Sequence, residues 1–207
     1  MDYVLFQCLM GIKCRDFAMV AADQMTTHSV LFMKDDTDKL HEISEGLLLG
    51  LIGDLGDVAQ FTQYVAQNLQ LYRMRNAYAL DTPAVVHFTR NSLKDCWHSG
   101  NPKFLDGLIA GYDERRGGEL YMIDILASSV RVPYGTQGLG GILSLSIMDR
   151  YYKPDLTQQE AYEILKMCIR EVQRKLVFNL PSFRVKTVSR LGVRTLPDID
   201  TAMLNAK

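Results

Sequence analysis

The side chains able to do chemistry in this sequence are thinly and irregularly spread. Four cysteines, Cys8, Cys14, Cys96 and Cys168, lack the C-x-x-C or cysteine/histidine spacing that holds zinc or a redox pair. They read as reduced thiols of an intracellular protein, and no disulfide framework is expected. Four histidines, His28, His41, His87 and His98, share neither a helical face nor H-E-x-x-H spacing, so no metal site and no cofactor is expected. The acidic run Asp35, Asp36, Asp38 lacks the glycine and closing glutamate of a calcium loop and reads as a solvated turn ahead of Lys39. Gly138-Leu139-Gly140-Gly141 could cradle a phosphate at a helix start. It has no strand-turn setting and no Lys-Ser/Thr after it, so close backbone packing is the expectation. Cys8 could be a nucleophile only if cleavage exposed its own amine beside the thiol; otherwise it is a small, half-buried strand residue.

Something must position these groups, and the composition is adequate for one compact core: 207 residues with 47% hydrophobic content. A formal net charge of -1 gives no basic surplus for nucleic acid. Apolar runs such as Leu47 to Ile52 are far shorter than the roughly 20 residues of a membrane span. Met1-Asp2-Tyr3 lacks the basic-then-apolar layout of a signal peptide. Neither nucleic acid nor membrane is an expected partner.

Apolar runs at Tyr3 to Met10 and Phe17 to Ala22 predict two strands joined across Lys13 to Asp16, and Leu40 to Ile43 with Leu47 to Ile52 predict a second pair. From Asp54 to Asn76, Val58, Phe61, Tyr64, Val65, Leu69 and Tyr72 recur at helical spacing. Thr82-Pro83 supplies a cap and first-turn proline for a second helix carrying Val86, Leu93 and Trp97. Phe104 to Tyr112 and Leu120 to Leu126 return to strand character around Asp113 to Gly118. A third helix is expected after Gly135 to Gly141, running to Tyr151. Thr157 and Glu160 form a capping box ahead of the stripe Ala161, Ile164, Leu165, Cys168, Val172. Phe183 to Val188 and Val193 to Leu196 close the chain as a hairpin, leaving residues 1–199 as one domain and 200–207 as a polar tail. This order departs from strict strand-helix alternation and points to an α+β fold of antiparallel sheets covered by helix pairs.

That order carries specific words with it: Val20-Ala21-Ala22-Asp23, Met33-Lys34-Asp35-Asp36 followed by Asp38-Lys39, Gln70 to Asn76 (QLYRMRN), Ala110-Gly111-Tyr112-Asp113-Glu114, Met148 to Tyr152 (MDRYY), and Asn179-Leu180-Pro181-Ser182-Phe183. Together they resemble the proteasome beta-subunit family, and within it a non-catalytic member of the fourth beta-ring position. The extra N-terminal helix and Tyr-Asp-Arg type motif of alpha subunits are not seen. The resemblance implies a four-layer α-β-β-α sandwich of the N-terminal nucleophile hydrolase superfamily, assembled into stacked seven-membered rings.

Active members of that family expose a threonine by cleavage at a Gly-Thr bond, so that one residue supplies hydroxyl and amine base together. Counting back from Asp23, that place falls near Gln7, between Phe6 and Cys8, with no threonine. The one Gly-Thr pair, Gly135-Thr136, would discard both early sheets if cut. Asp23 and Lys39 occupy the family's active-site aspartate and lysine positions. The serine before the third helix falls on Leu139, and the later aspartate and serine fall within Gln173 to Phe178, where neither type occurs. No catalytic residue is therefore assigned. Asp23 and Lys39 are expected as a retained structural ion pair.

The resemblance implies a scaffold subunit of cytoplasm and nucleus, supporting ring assembly and ATP/ubiquitin-dependent degradation by neighbouring catalytic beta subunits. Its partners would be other beta subunits of the ring, including the chymotrypsin-like neighbour, the opposite beta ring and the alpha ring. The charged tip of the Asp113 to Gly118 hairpin, with Arg115 and Arg116, is expected to reach a ring neighbour. Two alternatives stay open: an active threonine or cysteine N-terminal nucleophile peptidase, and a free-standing ligand-binding domain of the same fold.

Overall fold

The structure, a computed structural model, describes residues 6–28 and 31–205. Strands β1 (Leu9–Lys13), β2 (Phe17–Asp23), β3 (Thr26–His28), β4 (Leu31–Lys34), β5 (Leu40–Ser44) and β6 (Leu47–Gly53) come first. Helices α1 (Leu55–Asn76) and α2 (Thr82–His98) follow, then strands β7 (Leu105–Asp113), β8 (Gly117–Ile123), β9 (Ser129–Arg131) and β10 (Tyr134–Gln137). Helices α3 (Gly138–Tyr151) and α4 (Gln158–Lys175), strands β11 (Ser182–Ser189) and β12 (Gly192–Asp200), and a last turn α5 (Thr201–Asn205) complete the order.

Two five-stranded antiparallel sheets, ordered β10-β1-β2-β11-β12 and β5-β6-β7-β8-β9, carry the fold. The alternation of side chains along each strand builds three layers of apolar contact. Cys8, Met10, Ile12, Met19 and Ala21 pack against the buried faces of α3 and α4. On the opposite faces of the same strands, Leu9, Ala18, Val20 and Ala22 meet Leu48, Ile52, Leu108, Ala110 and Leu120 of the second sheet. That sheet's other side sends Leu47, Leu49, Leu51 and Ile109 against Val58, Phe61, Val65, Val86 and Leu93 of α1 and α2. The four-layer α-β-β-α sandwich follows, each fully enclosed leucine or isoleucine adding about 1.5–3 kcal/mol.

Several boundaries differ from the sequence reading, each for a local reason. The first strand runs Leu9–Lys13 and its turn begins at Cys14, whose N–H donates to Phe17 O at 2.8 Å; residues 3–5 lie outside the described residues. Asp81, rather than Thr82, caps α2, its carboxylate accepting the Ala84 N–H at 3.1 Å, while Thr82 sits inside the first turn beside Pro83. Gly138, Gly140 and Gly141 lie in the first turn of α3 instead of ahead of it. Gly117 and Gly118 belong to β8, because Gly118 is pressed against the Phe17 and Cys14 carbonyls where no Cβ fits. The short strands β3, β4, β9 and β10 have too few residues for an alternation to show. The stretch read as a tail starts as ordered structure: α5 follows β12 directly, Leu204 is buried in the core, and Arg170 Nη2 donates to Leu204 O at 3.2 Å. Residues 206 and 207 lie outside the described residues.

Candidate functional site

Asp23 ends β2 and Lys39 precedes β5, and the fold brings their side chains together. Lys39 Nζ lies 2.7 Å from Asp23 Oδ2, with side-chain exposures of 3% and 0%. Backbone groups complete the coordination: Asp23 Oδ1 accepts the Cys8 N–H at 2.7 Å, Oδ2 accepts the Met25 N–H at 3.1 Å, and Lys39 Nζ also donates to Met25 O at 2.9 Å. The pair thereby joins the entry to β1, the link after β2 and the entry to β5. Both charges sit away from water, where pairing alone would not offset desolvation and the added backbone bonds are needed.

Gln7 stands beside this pair and is almost fully buried. Its carboxamide makes a two-way bond with the last residue of β6: Nε2 donates to Gly53 O at 3.0 Å, and the Gly53 N–H donates to Oε1 at 2.9 Å. A cavity of about 100 Å³ lies here, lined by Gln7, Thr37, Lys39, His41, Gly53 and the first turn of α1. A backbone N–H at the edge of such a cavity is the type of donor that steadies an oxyanion. In this chain the Gln7 carbonyl occupies it, and a carboxamide offers neither nucleophile nor base. Burial lowers the His41 pKa against the opposing pull of Asp38.

Asp38, read as part of a solvated turn, is instead engaged: Lys186 Nζ is 2.7 Å from its Oδ2 and also donates to Leu40 O, with Arg184 at 3.9 Å. Asp35 and Asp36 are exposed. Leu139 lies on the outer side of α3, about 38% exposed. The glycines around it are spacers, since a Cβ on Gly138 (φ +77) would stand 2.1 Å from Gln7 O and one on Gly140 2.7 Å from Cys8 Sγ. In the last turn of α4, which extends through Gln173 to Lys175, the Gln173 amide is tied to Leu180 O and Thr201 Oγ1. Among the described residues, no group of three or more histidine, cysteine or acidic side chains could hold a metal, and no helix is long and apolar enough to cross a membrane.

Cys8 is wholly enclosed, and burial, with the Asp23 carboxylate next, pushes its thiol well above the usual range. Burial likewise lifts Cys14 and Cys168 from 9.0 to about 12, whereas Cys96 is half-buried. Thiolate is the reactive form. Mild alkylation of the native protein at pH 8, followed by peptide mass spectrometry, is therefore expected to modify Cys96 first, with the other three reacting only after denaturation. Rapid native labelling of Cys8 would contradict the enclosed geometry.

The family model described as "Proteasome subunit" matches residues 7–188. Proteasome subunit beta type-2-A of Arabidopsis thaliana is 38% identical over 204 residues, covering 96% of this chain and 100% of that protein. Proteasome subunit beta type-2 of Oryza sativa subsp. japonica is 38% identical over 188 residues, 91% of this chain and 88% of the relative. Proteasome subunit beta type-4 of Saccharomyces cerevisiae is 34% identical over 191 residues, 92% and 96% of the two. The chain belongs to the proteasome beta-subunit family.

In this proteasome beta subunit the two hairpin arginines have separate environments. Arg116 is held inside its own chain, with Nε 3.0 Å from Glu119 Oε1 and Nη2 3.0 Å from Asp81 Oδ2 and 3.5 Å from Asp113 Oδ2. The hydrogen bond it donates to Asp81 leads the upward shift of its pKa. Arg115 is exposed, and its backbone N–H, with that of Arg116, donates to Asp113 and holds that carboxyl below the usual range. Arg116, though exposed, is thus engaged by carboxylates of its own chain. Glu119 went unnoticed in the sequence although it is fully buried. The one signal was an acidic residue three positions after an arginine, flanked by Gly118 and Leu120 on an apolar strand. Gln7 likewise was located by counting, but nothing in its residue type announced the bond to Gly53, 46 positions away.

Proposed function

We propose that this chain is a non-catalytic structural subunit of the 20S proteasome core, of the beta type-2 kind at the fourth ring position. It supports ring assembly and the ATP- and ubiquitin-dependent degradation carried out by catalytic neighbours. The observation that carries this reading is Gln7: counting back from Asp23 puts it at the position of an active member's nucleophile, and its side chain is committed to Gly53 on both sides. The Asp23–Lys39 pair beside it is held by backbone partners and serves as an internal tie. The partners are the other beta subunits of its ring, including the chymotrypsin-like neighbour, together with the opposite beta ring and the alpha ring, and the setting is cytoplasm and nucleus. Arg115, exposed at the hairpin tip, is the arginine left for a ring neighbour.

Purified core particles treated with a hydroxyl-directed covalent probe of N-terminal nucleophiles provide the test. The expected result is labelling of other beta subunits with none on this one, and terminal sequencing that finds no new amine at residue 7 or 8. Probe attached to a newly exposed first residue of this chain would establish the peptidase alternative instead.

A further inference from the structure

Among the cavities outside the site above, the one beside α2 has a distinct basic lining. Arg90, Lys94 and His98 follow one another along α2 at intervals of four residues and line a cavity of about 500 Å³, whose far wall is the loop Leu126–Ser129. That wall is stiff. Asp124 Oδ1 accepts the N–H groups of Leu126 and Ser128, Ala127 takes a positive φ of 60, and Trp97 Nε1 donates to Ile125 O at 2.8 Å. The hydroxyls of Ser128 and Ser129 have no hydrogen-bond partner among the described residues.

The three basic side chains are exposed, and among the described residues no carboxylate forms an ion pair with them. Other cations of the molecule are answered by carboxylates, as Arg116 is by Asp81 and Glu119, or Lys186 by Asp38. The nearby carboxylate Asp124 is occupied by backbone N–H groups. His98 Nδ1 lies 2.8 Å from Lys94 O, an acceptor only, so Nδ1 carries the proton, and the standing cations of the cavity are Arg90 and Lys94. Lys94 suits the carbonyl end of α2, but Arg90 lies two turns before that end, and these two like charges four residues apart cost a few tenths of a kcal/mol. An anion would relieve that repulsion.

We propose that this cavity receives an acidic, extended segment of another protein chain in the same particle. Spacing selects the segment: four helical residues advance about 6 Å, and alternate residues of an extended chain advance about 6.8 Å. Carboxylates two positions apart therefore fall opposite Arg90 and Lys94. The inference rests on the proteasome assignment but is independent of whether the subunit is catalytic.

Zero-length carbodiimide coupling of purified core particles, read by mass spectrometry, tests it. Lys94 is expected to join an aspartate or glutamate of a different chain, with the yield falling roughly tenfold in 1 M salt, where screening acts within about 3 Å. In particles carrying R90Q and H98Q, which leave the Lys94 amine in place, the same cross-link should fall by a similar factor while particle yield is retained. Lys94 that forms no interchain link and acetylates as fast as exposed Lys153 overturns the proposal. Protection of Lys94 by tripolyphosphate without any protein cross-link also overturns it, in favour of a free phosphate site. Failure here leaves the covalent-probe result on residue 7 untouched, so the two readings fall separately.

Discussion

Lys39→Ala is expected to prevent stable folding of the subunit or to lower its Tm by roughly 10 °C, while the peptidase rates of the particles that still assemble stay unchanged. The cause is the carboxylate left behind. Asp23 is fully enclosed, and its two remaining partners are the N–H groups of Cys8 and Met25. Removing one member of a buried ion pair costs about 3–5 kcal/mol, and each kcal/mol moves Tm by about 2–4 °C in a chain of this size. Asp23→Asn should be comparably damaging, because it strands the ammonium against Met25 O alone. The double change Asp23→Asn with Lys39→Met removes both charges and should recover most of the lost stability. Thermal melts and incorporation into core particles measure both effects. A Lys39→Ala chain that melts and assembles normally would show that the pair is not a structural tie.

The pair illustrates how far the sequence alone could reach. Helices α1 and α4 were legible because periodicity, capping residues and terminal charges agree over many residues, as with Thr157, Glu160 and the stripe ending at Val172. Antiparallel sheets covered by helix pairs were legible in the order of elements, and the four-layer arrangement through the family resemblance that the ordered words carry. Asp23 and Lys39 could be named in advance, but their tie to Cys8 and Met25 consists of backbone bonds that any residue types could make. The Gln7–Gly53 bond was hidden for a different reason: a carboxamide satisfying a strand end leaves no pattern in sequence. Short strands such as β9 and β10 were invisible because three or four residues cannot display a period of two. Long-range polar contacts, more than helices or core, are what needed three dimensions.

The two arginines of the Asp113 to Gly118 hairpin should separate cleanly. Arg116→Ala is expected to cost about 2–3 kcal/mol, below the loss for an enclosed pair, because Arg116 is open to water on one side and Arg131 remains 3.6 Å from Glu119 Oε1. The loss arises at Glu119, whose fully buried Oε1 already lacks a well-aligned hydrogen bond and keeps only charge partners. It also loosens the start of α2, since Arg116 bridges Glu119 to the capping Asp81. Arg115→Ala should stay within about 0.5 kcal/mol of the parent in the isolated chain, as its side chain is exposed and its N–H bond to Asp113 survives the change. Arg115→Glu then reads the ring contact without disturbing the fold, so its expected signature is normal melting with slower particle assembly. Equal melting of Arg116→Ala and the parent would mean that Arg131 alone suffices for the buried glutamate, and the hairpin would lose its role as an internal brace.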